Sequence, residues 1–215
     1  MSVSAVILTY NDRETITDCL DSVEWCDEIV VVDSYSDDGT EEIVAKRADI
    51  VVRVPPASEG EPFDHFRSEG FEAASNEWIV PIDADERMPK TLTKRLRELA
   101  ATDCADVVWA LRKNLFDGRW LSGGYWWPDY QPWLIQDNMV TITPDVHDFY
   151  DFDDDSRHLR LPPEERFAVI HRKADSYREA YETARRHAKI RAKQEEFRPK
   201  KLGAFFLYVL EILYR

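Results

Sequence analysis

Four short apolar runs alternate with helical segments over the first 82 residues of the chain. The predicted strands are residues 3–9, 28–33, 49–54 and 78–82. The predicted helices are residues 16–23, 41–48 and 63–75, one after each of the first three strands. Continuous apolar strands separated by helices are typical of βαβ units with right-handed connections. The pattern therefore predicts an α/β fold with a mostly parallel sheet, flanked by helices.

Polar residues follow three of these strands at the point where each strand ends. They are Thr9, Tyr10 and Asn11 after the first, Asp33 at the end of the second, and Asp83, Ala84 and Asp85 after the fourth. The carboxyl ends of parallel strands meet at one edge of a sheet, and ligands of such sheets bind there. We therefore expect these residues, which are distant in sequence, to converge on one site.

Two carboxylates that flank one small residue are common in an acidic chain and identify a site only weakly. Because these carboxylates are also expected to lie beside the ends of the other strands, the interpretation that they belong to a binding site is strengthened. Neither a G-x-G-x-x-G nor a G-x-x-x-x-G-K-[ST] phosphate-binding motif occurs in the first half of the chain. Acidic residues occupy the position where glycines or a lysine would otherwise meet a phosphate, so a divalent cation is expected to mediate the contact.

Composition narrows the class of protein. The 215 residues fit one domain, and 44% hydrophobic with 12% aromatic residues is typical of a globular protein. The net charge of -14 disfavours general nucleic-acid binding. Nineteen Arg against nine Lys, with 23 Asp and 19 Glu, suggest a halophilic protein from a high-salt cytoplasm. Three cysteines without metal-binding spacing and a start without a signal peptide also predict a cytoplasmic location.

The charge divides the chain into two regions. Residues 1–156 carry a net charge of -21, and residues 157–215 carry +7. We assign residues 1–156 to the α/β domain that carries the predicted site. Residues 157–215 are assigned to a basic helical region that completes it. The positive charge of this region predicts contact with an anionic membrane surface. The alternative is a basic helix that complements the charge of the acidic domain in the same chain.

The end of the basic region is apolar. Residues 202–214 are about 13 mostly apolar positions, too few for a membrane span of about 20. An interfacial amphipathic helix and a packed terminal helix are both consistent with this pattern. The chain stops inside this run, so a longer parent protein is a further hypothesis.

Residues 107–142 are rich in aromatic side chains interrupted by glycines. These aromatics are Trp109, Phe116, Trp120, Tyr125, Trp126, Trp127, Tyr130 and Trp133. They are expected either to close the core or to form a platform for a sugar ring or a lipid-linked acceptor. Elsewhere, the acidic run 151–155 lacks the pattern of a calcium loop, and His147, His158 and His171 are too scattered for zinc, so they are interpreted as structural or surface histidines.

Several ordered motifs resemble the family 2 glycosyltransferases of GT-A fold. Within these, they resemble the lipopolysaccharide core group related to the β-1,4-glucosyltransferase WaaE. The motifs are residues 6–11, 27–34, 36–40 and 78–87, continued by 118–120, 127–131 and 146–148. The resemblance covers most of residues 3–190. It implies an inverting, metal-dependent hexosyltransferase that uses a nucleotide-sugar donor. It also implies that residues 1–156 are the GT-A nucleotide-sugar-binding and catalytic domain.

The resemblance also implies roles for the residues at the predicted sheet edge. The nucleotide-sugar would be bound by Thr9, Tyr10, Asn11, Asp33, Arg67, Asp83 and Ala84. Asp33 would accept a hydrogen bond from a base N–H. Asp85 would ligate Mg²⁺ or Mn²⁺ on the diphosphate. For Arg67, a surface salt bridge is the alternative to donor contact.

An inverting transfer needs a base that deprotonates the acceptor hydroxyl. Two carboxylates compete for this role. Asp129 matches the position of the base in many family 2 enzymes. Asp148 follows His147, where relatives of this group have Glu, and its shorter side chain weakens the assignment. We predict Asp129 as the base and Asp148 as the second candidate.

Three functions remain as hypotheses. The first is transfer of a hexose to a saccharide or lipid-linked acceptor at the cytoplasmic membrane face. The second is a polyprenyl- or dolichyl-phosphate sugar synthase, whose acceptor phosphate is already anionic and needs no strong base. The third is a non-catalytic module that binds a nucleotide-sugar, which the intact Asp83 and Asp85 disfavour.

Overall fold

A computed structural model describes residues 2–56, 63–102, 104–142, 150–174 and 176–178, together with 181, 183 and 185. Twelve strands occur within these ranges. They are β1 Val3–Thr9, β2 Glu28–Asp33, β3 Ile50–Arg53, β4 Trp78–Asp83, β5 Glu86–Arg87, β6 Val107–Phe116, β7 Arg119–Trp120, β8 Tyr130–Gln136, β9 Val140–Ile142, β10 Tyr150–Phe152, β11 His158–Arg160 and β12 Val169–Ala174.

Four α-helices and four short 3₁₀ helices complete the described elements. The α-helices are α1 Ile16–Val23, α2 Thr40–Val44, α3 Arg67–Ala73 and α4 Lys90–Ala100. The 3₁₀ helices are Phe63–Phe66, Gly124–Trp126, Asp137–Met139 and Glu165–Phe167. Within these ranges, no helix is both long and apolar enough to cross a membrane.

The four strands predicted from the sequence form the parallel half of the main sheet. The sheet order is β3-β2-β1-β4-β8-β6-β12-β5, and β7 and β11 also pair with β6. The pairs β1 with β2, β1 with β4 and β2 with β3 are all parallel, as predicted. The chain order reverses between β1 and β4, which is where open α/β sheets bind their ligands.

The second half of the sheet is mixed, and its strands were missing from the sequence prediction. Strand β8 is antiparallel to both β4 and β6, whereas β11 and β12 are parallel to β6. Aromatic and charged residues interrupt the apolar pattern of β6 and β8, so these strands lack the continuous apolar runs of β1 and β4. The mixed α/β fold with a mostly parallel sheet is nevertheless confirmed.

The helical region expected from residue 157 needs a correction. Residues 158–160 and 169–174 are strands that pair with β6. They were assigned to the helical region because their net positive charge continues into the predicted helix, and charge alone does not distinguish strand from helix. Tyr177, Arg178, Tyr181, Thr183 and Arg185 are helical and lie where the basic helix was predicted to begin. The other residues after 178, including the apolar end, lie outside the described part of the chain.

Helices cover both faces of the main sheet. On one face, α1 and α4 bury Ile16, Leu20, Leu92 and Leu96 in the largest core cluster. On the other face, Phe71 of α3 packs with alternate residues of β1, β2 and β4, and the β9–β10 hairpin contributes partly buried apolar residues beside it. Both faces of β1, β2 and β4 are therefore buried, which explains their uninterrupted apolar sequences.

Candidate functional site at the carboxyl edge of the sheet

The ends of β1, β2 and β4 lie side by side, as predicted. Thr9 is paired with Asp33, and Leu8 is paired with Asp83. Ala84 is buried, and its backbone N–H donates to the carbonyl of Leu8 over 3.1 Å. This bond fixes the turn that carries Asp83 and Asp85 beside the end of β1.

The loops after β1 and β2 are joined by side chains. Asn11, with φ of 58°, donates its backbone N–H to Ser36 Oγ over 2.9 Å, and its Oδ1 accepts the backbone N–H of Asp37 over 2.9 Å. The buried Asp33 carboxylate accepts the Ser36 hydroxyl over 2.5 Å. Tyr10 lies beside this junction and is half exposed. Asn11 and Asp33 are thus held rigidly at one end of the edge.

Gly39 closes the same loop at the start of α2. Its φ of 101° lies in the left-handed region, and an added Cβ would lie 2.7 Å from Arg13 Nη1. Arg13 in turn donates through Nη1 to the carbonyl of Asp38 over 3.1 Å. The left-handed backbone conformation favours glycine here, because a side chain at this φ is strained, whereas the exposed Arg13 side chain could move aside.

Asp12 is a carboxylate at this edge that the sequence prediction missed. Its Oδ2 accepts the Thr9 hydroxyl and the Tyr10 backbone N–H, both over 2.9 Å. Burial, together with the nearby charges of Asp85 and Asp83, raises the pKa of Asp12 to about 6 against the lowering effect of those hydrogen bonds. Its position directly after the predicted residues 9–11 was the only sequence signal.

Arg67 binds the first carboxylate of the Asp83-Ala84-Asp85 motif. Its Nη2 donates to Asp83 Oδ1 over 2.7 Å, and the Arg67 side chain is 4% exposed. The expected alternative of a surface salt bridge therefore does not describe this contact. Arg67 holds Asp83 from inside the protein, while the Asp83 side chain stays 37% exposed toward the edge.

His171 lies against the second carboxylate. Its Nε2 is 3.2 Å from Asp85 Oδ2, and the residue is buried. Burial opposes the charged form of Asp85, but the neighbouring His171, Lys173 and Arg112 lower its pKa overall. The interpretation of His171 as structural or surface-exposed missed this contact, because only the pairing of β12 with β5 brings it beside residues 85 and 86.

Glu86 is a third buried carboxyl group behind the turn. Its Oε2 accepts the backbone N–H of Asp83 over 3.0 Å, and its Oε1 lies 3.5 Å from Arg112 Nη1. Burial and the charge of Asp83 raise the pKa of Glu86 to about 8, against the opposing effect of Arg112. Glu86 thus holds the turn from the protein interior through its hydrogen bond with Asp83, and it does not face solvent.

Asp129, the predicted base, accepts three hydrogen bonds. Its Oδ2 accepts from Arg112 Nε over 2.8 Å and from Asn114 Nδ2 over 3.0 Å, and its Oδ1 accepts from Gln131 Nε2 over 2.7 Å. Burial opposes ionisation, but these donors and the charge of Arg112 lower the pKa of Asp129 overall. A carboxylate has about four lone-pair positions, so one remains for a further proton donor.

Comparison with known proteins identifies the family. Residues 4–151 match the description Glycosyl transferase family 2, which covers more than half of the chain. The chain belongs to glycosyl transferase family 2. The family 2 glycosyltransferase predicted from the motifs is thereby confirmed.

Two curated relatives of this glycosyltransferase are similar over part of their length. The chain is 34% identical over 117 residues to the lipopolysaccharide core biosynthesis glycosyltransferase LpsC of Rhizobium meliloti (strain 1021), a match that covers 53% of the chain and 43% of LpsC. It is 33% identical over 101 residues to glycosyltransferase SunS of Bacillus subtilis (strain 168), covering 46% of the chain and 24% of SunS. Each match thus spans less than half of the relative.

A solved structure shares the fold of this glycosyltransferase. The crystal structure of residues 1–349 of TarS from S. aureus is similar over 98% of the chain and 71% of that TarS fragment, with a TM-score of 0.57 and 19% identity. TarS has also been crystallised in complex with UDP and with UDP-GlcNAc. The likeness confirms the GT-A fold predicted for the chain.

The predicted site residues of this glycosyltransferase fall into two groups. Along the edge, the structure brings together Thr9, Tyr10, Asn11, Asp33, Arg67, Asp83, Ala84, Asp85 and Asp129. The second base candidate, Asp148, and the neighbouring His147 lie outside the described residues. A choice between Asp129 and Asp148 therefore rests on experiment.

The donor set at Asp83 and Asp85 fits a hard divalent cation. Their side chains are 37% and 32% exposed at the edge, and His171 Nε2 faces Asp85. Within the described ranges, no group of three or more His, Cys, Asp or Glu side chains is arranged to hold a metal by itself. Mg²⁺ and Mn²⁺ bind through few protein ligands and take others from substrate phosphates and water.

The aromatic residues expected in the core or on a platform differ in burial. Trp133 is buried and donates through Nε1 to the carbonyl of Ala110 over 3.1 Å. Trp120 and Trp127 are half-buried and pack edge to face with centroids 5.0 Å apart. Lys173 Nζ lies 5.1 Å from the centroid of the Trp126 ring. Two of the three half-buried indoles thus have a lysine over the ring, Lys113 at Trp120 and Lys173 at Trp126.

Proposed function

We propose that this family 2 enzyme is an inverting, metal-dependent glycosyltransferase that moves a hexose from a nucleotide-sugar to a saccharide or lipid-linked acceptor. It would act in the synthesis of a cell-surface glycan or glycolipid. The observation that supports this most directly is the convergence of Asn11, Asp33 and Asp83 at the point where the strand order reverses.

The donor nucleoside would lie over the first part of the edge. Asn11 and Asp33 are held by Ser36 and Asp37, so their polar groups need no reorganisation on binding. The half-exposed ring of Tyr10 offers a face for the base. The nucleoside would thus be oriented by groups that are already fixed.

The diphosphate would lie over Asp83 and Asp85. These carboxylates cannot bind phosphate directly because like charges repel. Asp85 and His171, with Asp83 beside them, would hold Mg²⁺ or Mn²⁺, whose charge stabilises the diphosphate as it leaves. Arg67 would keep Asp83 oriented toward the cation through their 2.7 Å ion pair.

Proton removal from the acceptor is assigned to Asp129, with Asp148 as the alternative. In an inverting transfer, the acceptor oxygen attacks the anomeric carbon as the bond to the diphosphate breaks, and its proton passes to the base. Asp129 Oδ1 has one donor, Gln131, and one remaining lone-pair position for the acceptor hydroxyl. Arg112 and Asn114 would keep its other oxygen fixed.

One observation favours a second candidate function. The lowered pKa of Asp129, caused by Arg112 and its other donors against the effect of burial, makes it a weak base. A polyprenyl- or dolichyl-phosphate sugar synthase needs no strong base, because its acceptor is already an anionic phosphate. The fixed Asp129 would then only orient the acceptor.

A thermal-shift panel of nucleoside diphosphates, with and without Mn²⁺, tests the donor site. A ligand that binds only the native state raises its stability. We expect one diphosphate to raise Tm in the wild type only when Mn²⁺ is present, and this shift to disappear in Asp85→Asn. Asp154→Asn, at an exposed aspartate of the acidic loop, is the matched control and should respond like the wild type.

Sugar transfer by single and double variants separates the two candidate functions. Loss of transfer in Asp129→Asn, with Asp148→Asn near normal, would support Asp129 as the base. Activity that survives loss of both carboxylates would favour the polyprenyl-phosphate synthase. If no donor is hydrolysed or transferred with Mn²⁺ across a full panel, the enzyme proposal is wrong and the chain is a binding module.

The membrane part of the proposal rests on sequence charge. Residues 157–215 carry a net charge of +7, which would attract an anionic membrane face. Sedimentation with anionic vesicles at low salt tests it, with neutral vesicles as the control. Protein that stays entirely in the supernatant with both vesicles would contradict peripheral membrane binding.

A further inference from the structure

A continuous chain of side-chain contacts joins the proposed cation site to the proposed base. His171 Nε2 lies 3.2 Å from Asp85 Oδ2, and His171 Nδ1 lies 2.6 Å from Asn114 Oδ1. Asn114 Nδ2 in turn donates to Asp129 Oδ2 over 3.0 Å. Asn114 is 1% exposed, so water does not compete for its amide. The four residues come from the turn after β4, from β12, from β6 and from the segment before β8.

The chemistry of these groups fixes the position of one proton. An ionised carboxylate only accepts hydrogen bonds, so the amide nitrogen of Asn114 must face Asp129. The carbonyl oxygen of Asn114 therefore faces His171. Since that oxygen also only accepts, the contact requires a proton on His171 Nδ1. When a cation lies between His171 and Asp85, Nε2 would offer its lone pair to that ion; without one, Nε2 can contact the Asp85 carboxylate only as a donor.

We propose that Asn114 is a positioning residue that serves both halves of the site at once. Through Oδ1 it holds His171 with Nε2 toward the cation position at Asp85, and through Nδ2 it orients the carboxylate of Asp129. This inference rests on the proposed function for the identity of the two halves. Donor binding and proton removal are thereby linked through one buried amide.

The fixed geometry explains why an asparagine occupies this position. Its side chain presents one acceptor and one donor in a plane, which matches an imidazole N–H on one side and a carboxylate on the other. Alanine would remove both contacts. Aspartate would keep an acceptor for His171 but would place a second carboxylate against Asp129. The two substitutions therefore separate the two roles.

The first measurement needs no metal and no activity. Ring nitrogen resonances of ¹⁵N-histidine-labelled protein report which nitrogen carries the proton, and His171→Gln assigns the signal. In the metal-free protein we expect His171 to keep a proton at Nδ1 in the wild type and in Asn114→Asp, because an oxygen at residue 114 accepts it. Asn114→Ala should lose this preference, whereas Asn138→Ala, at an exposed asparagine, should keep it.

The second measurement separates the two halves functionally. Free Mn²⁺ is followed by electron paramagnetic resonance in the presence of UDP and of the diphosphate selected by the thermal-shift panel. Loss of a partner that orients a metal-binding histidine typically costs about 10–100-fold in affinity or activity. We expect such a loss of Mn²⁺ affinity in Asn114→Ala. Asn114→Asp should retain Mn²⁺ affinity but lose kcat with little change in the KM for the donor.

Specific results would overturn the inference. A wild-type His171 protonated only at Nε2 would contradict it, as would unchanged His171 resonances in Asn114→Ala. Equal effects of the two Asn114 variants on Mn²⁺ affinity and kcat would contradict the separation of roles. If the wild type binds no diphosphate with Mn²⁺, the proposed function fails, while the metal-free resonances still decide whether Asn114 fixes His171.

Discussion

Asp85 and His171 are distant in sequence, yet their side chains meet at the carboxyl edge of the sheet, with Nε2 3.2 Å from Oδ2. Strand β12 makes this contact possible because it pairs with both β5 and β6. The backbone adds a second link, since Arg172 donates its N–H to the carbonyl of Asp85 over 3.0 Å. The second aspartate of the Asp83-Ala84-Asp85 motif is thus in contact with an imidazole from β12, the last described strand.

Replacement of His171 by glutamine should weaken Mn²⁺ binding in the presence of a nucleoside diphosphate by about 10-fold or more. The reason is that glutamine removes the only imidazole nitrogen facing Asp85 within the described part of the chain. Electron paramagnetic resonance of free Mn²⁺ measures the change. His158→Gln, at an exposed histidine, is the control, and an equal loss in both variants would contradict a role for His171.

Replacement of Arg67 by methionine should lower the free energy of unfolding by about 1–3 kcal/mol. A buried ion pair that loses one partner leaves the other carboxylate uncompensated, although partial exposure of Asp83 reduces the cost. Urea unfolding measures the effect. Arg95→Met removes the exposed Arg95–Glu98 pair on α4 and should change stability by less than about 0.5 kcal/mol. Similar effects of the two variants would contradict the prediction.

Replacement of Gly70 by alanine should destabilise the protein by about 1–3 kcal/mol. An added Cβ would collide with Val6 Cγ1 and lie 2.8 Å from Val32 Cγ2, where α3 packs directly on the sheet. This cost exceeds the gain of up to about 1 kcal/mol from higher helix propensity. Thermal or urea unfolding measures it, and Glu72→Ala on the exposed side of α3 is the control. A stabilised Gly70→Ala variant would refute the close packing.

Replacement of Asp106 by asparagine should lower stability at neutral pH but much less in acid. Hydrogen bonds from Arg157, against some desolvation, lower the pKa of Asp106 below its usual 3.8. A carboxyl group whose pKa is lower in the folded state stabilises the fold at pH values above its pKa in the unfolded state. This stabilisation is lost as the pH falls through the pKa of the folded state. Urea midpoints at neutral pH and below about pH 3 measure it. A stability difference that does not shrink in acid would exclude this ion pair as its cause.

Replacement of Glu86 by glutamine should flatten the pH dependence of stability in the metal-free protein. Burial and the charge of Asp83 raise the pKa of Glu86 from 4.5 to about 8, so the folded state holds a proton that the unfolded state has lost. The stabilisation that comes from this bound proton is complete below pH 4.5 and is lost as pH rises through about 8. Urea midpoints across this range measure it, and identical slopes for variant and wild type would contradict the raised pKa.

The local pattern of apolar and polar residues was sufficient to predict the parallel half of the fold and the sheet edge where the candidate site residues converge. Strands β1, β2 and β4 are buried on both faces, so their residues had to be continuously apolar, and the polar residues after them had to meet at one edge. That physical constraint acts locally, which is why Asn11, Asp33 and Asp83 could be predicted together. The family resemblance added the reaction class and a position for the base at Asp129.

The hydrogen bonds and ion pairs that hold these residues in place come from tertiary contacts. The partners of the predicted site are Asp12, Arg112, Asn114 and His171, and the last three come from mixed strands whose pairing no local pattern specifies. A histidine on β12 contacts Asp85 because of strand order, and an asparagine on β6 reaches both His171 and Asp129 because of register. Local sequence encodes burial and strand ends, whereas contacts across a mixed sheet depend on the packing of the whole domain.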